Sequence, residues 1–336
     1  MENFQVLPLK EEARLSEQER LRYYNQFREY VRKRKLTNTT PGATTICPKL
    51  RNITAKIAVA VTKKFSDKNV EWIWDGTENI PEGAVLFAHT HQGVLDGFVW
   101  IPTIKQHCLI LISAFVSKLM MLCQINTGLV VVNKQDRVNQ ANSKLDMIRL
   151  LLDGHSLCYF PEGAWNLSPN KLHLPMRYGF LDIARKAGVP VVPVVHEYTY
   201  DSTTEKITKI HTQYGMPIYI SPYDDIGQKL EEYCEQISTM RFELIAEKGV
   251  FNRKDICSAQ YINYLKGNYS NMRMGNIDPA RENQHIYNSN DEFYLFHHIN
   301  DIPFDENDEL LPTPEIQRLN RIMKREFPAI RCGFSF

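Results

Sequence analysis

Five short apolar runs, at residues 85–88, 109–116, 128–134, 156–160 and 189–195, constrain this chain more than any other feature. They are rich in β-branched and large aliphatic side chains, and Gly, Pro or polar turns interrupt them. A strand that is apolar at nearly every position has no wet face. It must be covered on both sides, the usual condition of a parallel strand whose crossover helices lie over the sheet. Residues 141–152 carry helical periodicity, as do 180–186, where Gly188 ends the pattern. Residues 70–74 alternate Val, Glu, Trp, Ile and Trp and read as a further strand, turned by Asp75-Gly76. The run at 109–116 fits a strand or a buried helix. The expected fold is α/β, a mostly parallel central sheet covered by helices, with N-terminal helices before it and a C-terminal extension after it.

The flanks divide the 336 residues further. Ser16 and Glu19 make a capping box ahead of a helix carrying Leu21, Tyr24, Phe27, Tyr30 and Val31, and the stretch 37–45, with Pro41-Gly42, ends it. A second helical stretch, 48–65, spaces Leu50, Ile53, Ile57, Val61 and Phe65 along one stripe, with Lys49, Arg51, Lys56, Lys63 and Lys64 beside it and no acidic partner. Two readings fit that pattern: a helix packed on the core with a wet basic face, or a helix lying on an anionic membrane surface. Residues 223–249 form a polar helix, and 250–336 are Tyr-rich with an acidic patch and a closing amphipathic segment after Thr313-Pro314-Glu315. The expected division is a helical segment 1–69, a central domain 70–249, and an extension 250–336 to which no chemistry is assigned.

Charge excludes one class of partner. Lys and Arg total 40 against 39 Asp and Glu, so a nucleic-acid partner of the strongly basic kind is not expected. The seven cysteines, 47, 108, 123, 158, 234, 257 and 332, are scattered and contain no Cys-x-x-Cys pair, which points to reduced thiols and a cytoplasmic protein. The first ten residues lack the apolar core of a signal peptide, and the most apolar stretch, 108–123, is broken by Lys118 and falls short of a bilayer span. Any membrane contact is therefore expected to be peripheral.

The apolar run at 85–88 delivers His89-Thr90-His91 into a Gly-containing turn, and Asp96 follows His91 by five residues. A neutral imidazole accepts a hydroxyl proton near neutral pH, and a carboxylate beside it fixes its tautomer and stabilises the imidazolium. No nucleophilic Ser or Cys stands beside the pair, so His91 would activate a hydroxyl of the substrate. The spacing alone also fits a structural histidine satisfied by hydrogen bonds.

Four blocks in order carry more information than one: His91-x-x-x-x-Asp96, the strand 128–134, Phe160-Pro161-Glu162-Gly163, and the strand 189–194 with its two prolines. Together they resemble the glycerolipid acyltransferases, the superfamily of glycerol-3-phosphate and lysophosphatidate acyltransferases. The flanks 76–81 and 174–179 resemble the family as well, and the likeness covers roughly residues 70–220. The resemblance implies transfer of a fatty acyl group from a thioester, on coenzyme A or acyl carrier protein, to a hydroxyl of a glycerolipid, lysophospholipid or related acceptor, with no bound cofactor and no metal. On that reading His91 is the general base and Asp96 its orienter. Glu162 binds the acceptor, and main-chain N–H groups around Gly163 serve the oxyanion. Lys134 stands where the family usually has a phosphate-binding Arg, and Arg137 is close enough to substitute; either also fits a solvated loop charge. After Gly163 the family commonly continues with a small residue and Arg, whereas this chain has Ala164, Trp165 and Asn166. Trp165 offers an aromatic face to an acyl chain, a sugar or a quaternary ammonium group, or simply packs.

Two rivals use the same residues. His89-x-His91 could begin a zinc hydrolase site, although His107, His155, His173 and His196 are isolated in sequence. A non-catalytic lipid-binding protein could also keep the fold.

Overall fold

The computed structural model describes residues 4–40, 44, 48–91, 94–113, 128–133, 136–163, 173, 176–200 and 207–247. Seven strands form one sheet: β1 (Ser66–Asp75), β2 (Leu86–His89), β3 (Cys108–Ser113), β4 (Leu129–Val132), β5 (Ser156–Tyr159), β6 (Val191–Tyr200) and β7 (Ile207–Tyr214). Their spatial order is β1-β7-β6-β2-β5-β3-β4, parallel at each neighbouring pair except β6–β7. The helices are α1 (Leu9–Glu12), α2 (Glu17–Lys33), α3 (Pro48–Phe65), α4 (Arg137–Leu152), α5 (Gly179–Ala187) and α6 (Ile226–Glu247). The expected α/β fold with a mostly parallel, covered sheet is what the chain adopts.

Strand β2 shows why the apolar runs had to be covered twice. Its residues Leu86 to His89 are all buried. Leu86 and Ala88 enter one core with Phe27 and Val31 of α2, Ile148 and Leu151 of α4, Phe180 and Ala184 of α5, and Leu230 and Ile237 of α6. Val85 and Phe87 point the other way, into a second core with Phe98, Trp100, Ile101, Ile104 and Ala58 of α3. Alternation along the strand thus feeds two apolar layers.

Local chemistry places the helix ends. The Ser16–Glu19 capping box is formed at the start of α2. Asp136 caps α4 by accepting from Val138 and Asn139 N–H. Helix α5 ends at Gly188, whose φ of 77° suits glycine and where a Cβ would lie 2.8 Å from the Arg28 guanidinium. Helix α6 begins three residues later than expected, because Asp225 Oδ1 accepts the Gln228 N–H at 2.9 Å and makes the cap. Of the apolar run at 109–116, residues 109–113 lie in strand β3, and 114–116 fall outside the described residues.

Strand β7 was not anticipated. Its sequence, Ile-Thr-Lys-Ile-His-Thr-Gln-Tyr, reads as half polar, yet His211 and Thr212 are buried. Tertiary partners satisfy them: His211 Nε2 meets Asp75 Oδ2 at 2.5 Å, and Thr212 Oγ1 meets His196 Nδ1 at 3.0 Å.

The N-terminal helices are built into the central domain. Phe27 and Val31 belong to the main core, and Glu12 lies in a buried ionic cluster, with Lys186 at 2.5 Å and Arg185 at 3.5 Å. Asp182 joins it, 2.5 Å from Lys144 and 3.0 Å from Arg185. Burial alone would raise the Asp182 carboxyl, but Lys144, Lys186 and Arg185 outweigh it and hold it well below the usual range. Helix α3 has the expected bounds, and of the apolar stripe expected along it only Ile53 and Ile57 are among the described side chains. Small residues touch the core, with Ala58 and Thr62 buried, while Ile53 and Ile57 are 50% and 37% exposed and Lys56 and Lys63 are exposed beside them. Among the described residues no helix is long and apolar enough to cross a membrane.

Candidate active site

The site lies at the carboxyl ends of β2 and β5, the edge of an open parallel sheet at which ligands bind. Beyond β2 the main chain is clamped from three elements. The Tyr233 hydroxyl of α6 donates to Ala88 O at 3.1 Å, Thr90 N–H donates to Val194 O of β6 at 2.9 Å, and His91 N–H donates to Glu162 Oε1 at 2.7 Å. One turn of 3-10 helix, Val94–Gly97, then brings the chain back. Asp96 Oδ2 lies 2.9 Å from His91 Nδ1. The carboxylate is fully buried, whereas the imidazole keeps 19% of its surface exposed. Phe160, at the end of β5, stacks on the His91 ring with centroids 4.2 Å apart and planes 27° apart. Two restraints thus hold the ring: a hydrogen bond in its plane and an aromatic face against it.

Electrostatics favour an ionised Asp96. Burial alone would raise its pKa, but the hydrogen bond and charge of His91, the neighbouring His196 and the hydrogen bond from Tyr198 bring it below the ordinary value. The Tyr198 hydroxyl donates to Asp96 Oδ1 at 2.5 Å. Beneath the pair lies a second imidazole row. His89 Nδ1 faces His196 Nε2 at 2.9 Å, their rings stacked with centroids 5.1 Å apart, and His196 Nδ1 faces Thr212 Oγ1 at 3.0 Å. Both histidines are fully buried, and burial drives their pKa values down, that of His196 to about 4 and that of His89 well below its usual value. They are neutral at pH 7.

The residues singled out from sequence are placed as follows. His91, Asp96 and Glu162 come together. Glu162 is fully buried and holds the main chain of His91 through one oxygen. Gly163 has φ 63°, a left-handed conformation that suits glycine, and its N–H donates to Phe160 O at 3.0 Å, closing the turn. Using that N–H as an oxyanion donor would require the turn to open. Arg137 opens α4 and is exposed, on the same rim of the sheet but beyond β4. Strand β4 is three places from β2, about 14 Å at ordinary strand spacing. Lys134 and Trp165 lie outside the described residues, as does the extension 250–336. His89, the first partner required by a zinc site, is engaged with His196. Among the described residues no three His, Cys, Asp or Glu side chains are placed to hold a metal ion.

Sequence reading missed Phe160 as a platform, Tyr198 as a partner of Asp96, and Tyr233. A signal for Tyr198 was present: Val192, Val194, His196 and Tyr198 recur at every second residue, placing two ionisable groups on one otherwise apolar face of the strand. Nothing in sequence separates Tyr233 from the other core residues of its helix.

The family model described as Acyltransferase matches residues 73–197, which include His91, Asp96, Phe160, Glu162 and all but the last three residues of β6. The 1-acyl-sn-glycerol-3-phosphate acyltransferase of Borreliella burgdorferi is 27% identical over 173 residues, a match that spans 49% of this chain and 65% of that relative, just under two thirds of its length. The crystal structure of the 1-acyl-sn-glycerophosphate (LPA) acyltransferase PlsC from Thermotoga maritima superposes with a TM-score of 0.48 at 17% identity, covering 67% of this chain and 89% of that one. With the ordered motifs, the family match and the curated relative in agreement, the region spanning residues 73–197 is an acyltransferase domain of the glycerolipid acyltransferase superfamily.

Proposed function

We propose that this protein transfers a fatty acyl group from a thioester, acyl-CoA or acyl carrier protein, to a hydroxyl of a glycerolipid, lysophospholipid or related acceptor. The observation that carries the reading is the pairing of a fully buried Asp96 with a partly exposed His91 at 2.9 Å. With Nδ1 committed to Asp96, Nε2 takes the proton of the acceptor hydroxyl, and the oxygen attacks the thioester carbonyl. The tetrahedral intermediate collapses by breaking the carbon–sulfur bond, and the departing thiolate takes the proton from the imidazolium. Ester and thiol are the products, and His91 returns to its starting state.

The departures from the family bear on the acceptor. Without an Arg after Gly163, and with Lys134 in place of a second one, bidentate contacts to a phosphate are fewer. Trp165 favours an acceptor with a larger head group or more apolar surface, and Lys134 and Arg137 are the candidate cations. Peripheral attachment through residues 48–65 would bring such acceptors within reach of the site. The test is thiol release from palmitoyl-CoA and from palmitoyl-acyl carrier protein with a panel of lysophosphatidate, zwitterionic lysophospholipid, glycerol-3-phosphate and sugar acceptors. Acceptor-dependent thiol release that His91→Ala abolishes supports the reading. No transfer to any acceptor by a folded protein, or transfer undiminished in His91→Ala, overturns it.

A further inference from the structure

We infer that Tyr198 is a positioning residue of this reaction, acting through Asp96; the inference rests on the reading of His91 and Asp96 as base and orienter. Asp96 must keep Oδ2 on His91 Nδ1 if Nε2 is to face the acceptor. A carboxylate turns readily about its own axis, so a donor on the other oxygen sets its aim. The Tyr198 hydroxyl supplies that donor at 2.5 Å from Oδ1. It comes from β6, whose register against β2 pairs His89 with Val194 and so ties the tyrosine to the strand that delivers the base.

The tyrosine ring has little freedom. It is 6% exposed and packs with Leu95, Val99, Ile207 and Ile210. Leu95 precedes Asp96 and Val99 follows shortly after, so the segment that carries the carboxylate also grips the ring that restrains it. Strand, turn and ring form a closed loop of contacts around one carboxylate, and hydrogen bonds to ionised groups are among the strongest available for such a task. Tyr198→Phe keeps the packing and removes only the hydroxyl, which makes the two contributions separable.

With palmitoyl-CoA and 1-oleoyl lysophosphatidate as probes, Tyr198→Phe is expected to lower kcat about 10- to 100-fold while both KM values stay within about threefold. In an Asp96→Asn background the same substitution should cost less than about threefold, because the group it acts through is already impaired. An equal factor in both backgrounds, or full activity in Tyr198→Phe beside a crippled Asp96→Asn, overturns the inference and leaves the base assignment standing. Wild-type turnover in Asp96→Asn overturns both. A second measurement needs no substrate: in protein labelled at histidine nitrogen, the His91 ring N–H bonded to Asp96 gives a downfield proton resonance. That resonance should move in Tyr198→Phe, and an unmoved one overturns the inference whatever the kinetics.

Discussion

The Glu162 carboxylate reaches the main chain of His91, accepting its N–H at 2.7 Å from within a fully buried environment. Glu162 sits just past β5 and His91 just past β2, and these strands are neighbours in register from Leu86 opposite Leu157 to Ala88 opposite Tyr159. The bond therefore joins the His91 turn to the Phe160-Pro161-Glu162-Gly163 turn across one strand gap. Glu162→Ala should strand a main-chain donor and let the His91 loop drift, lowering kcat about 100-fold and stability by about 1–3 kcal/mol. Glu162→Gln keeps an acceptor atom and should be milder in both respects. A change confined to the acceptor KM in both variants would show that Glu162 acts on the substrate instead.

The two histidines of His89-x-His91 should fail in different ways. His91→Ala should lower kcat/KM by about 100- to 10,000-fold with little change in melting temperature, since the ring is partly exposed. His89 is fully buried against His196, Trp100 and Phe160. His89→Ala should leave a cavity and cost about 3 kcal/mol of stability. Kinetics and thermal unfolding on both variants check this, and a stable but inactive His89→Ala would contradict it.

Acid should weaken the fold well above the range of carboxylates. His196 has a folded pKa of about 4, below its ordinary value of 6.5, because burial disfavours the charged form. Its pKa is depressed on folding, so the unfolded chain binds the extra proton. The contribution is complete above about pH 6.5 and is lost as pH falls towards 4, on the order of 3 kcal/mol for this one group. His89 adds in the same direction. Urea unfolding between pH 7.5 and 4.5 should show stability falling across that window. His196→Gln should flatten the fall without removing it, and an unchanged slope would show that the buried imidazole is not its source.

Helix α3 turns Ile53 and Ile57 to solvent with Lys56 and Lys63 beside them, the arrangement of a helix that settles on an anionic surface. Co-sedimentation with vesicles containing phosphatidylglycerol should fall when salt is raised and fall further in Ile53→Asp plus Ile57→Asp. Lys56→Glu plus Lys63→Glu should reduce the salt-sensitive part. Pelleting indifferent to all three changes would place the lipid contact elsewhere or remove it.

The ionic cluster on the far side of the core should tolerate no single deletion. Glu12 is 1% exposed and pairs with Lys186 and Arg185, both buried. Glu12→Ala would leave two buried cations with one fewer counter-charge and should cost about 3–5 kcal/mol. Denaturant unfolding measures it, and a loss under about 1 kcal/mol would mean that the cluster reorganises around Asp182.

Much of this architecture was legible in the chain because its information is local. Apolar runs such as 85–88 and 156–160 dictate strands buried on both faces, the Ser16–Glu19 box dictates where α2 starts, and Gly188 dictates where α5 stops, each through interactions within a few residues. His91 and Asp96 are five residues apart, so the turn that pairs them is also local, and their recurrence with Phe160-Pro161-Glu162-Gly163 pointed to the family. What lay beyond reach depends on partners far along the chain. Strand β7 looks polar until Asp75 and His196 are seen to satisfy His211 and Thr212, and periodicity alone does not say that Ala58 and Thr62 of α3 are buried while Ile53 and Ile57 face outward. Tyr198 lies 102 residues from Asp96 and Glu162 lies 71 from His91. Hydrogen bonds of that span exist only once the sheet has set its strand order, so the sequence determined the pair proposed to react and the tertiary structure alone decided what aims it.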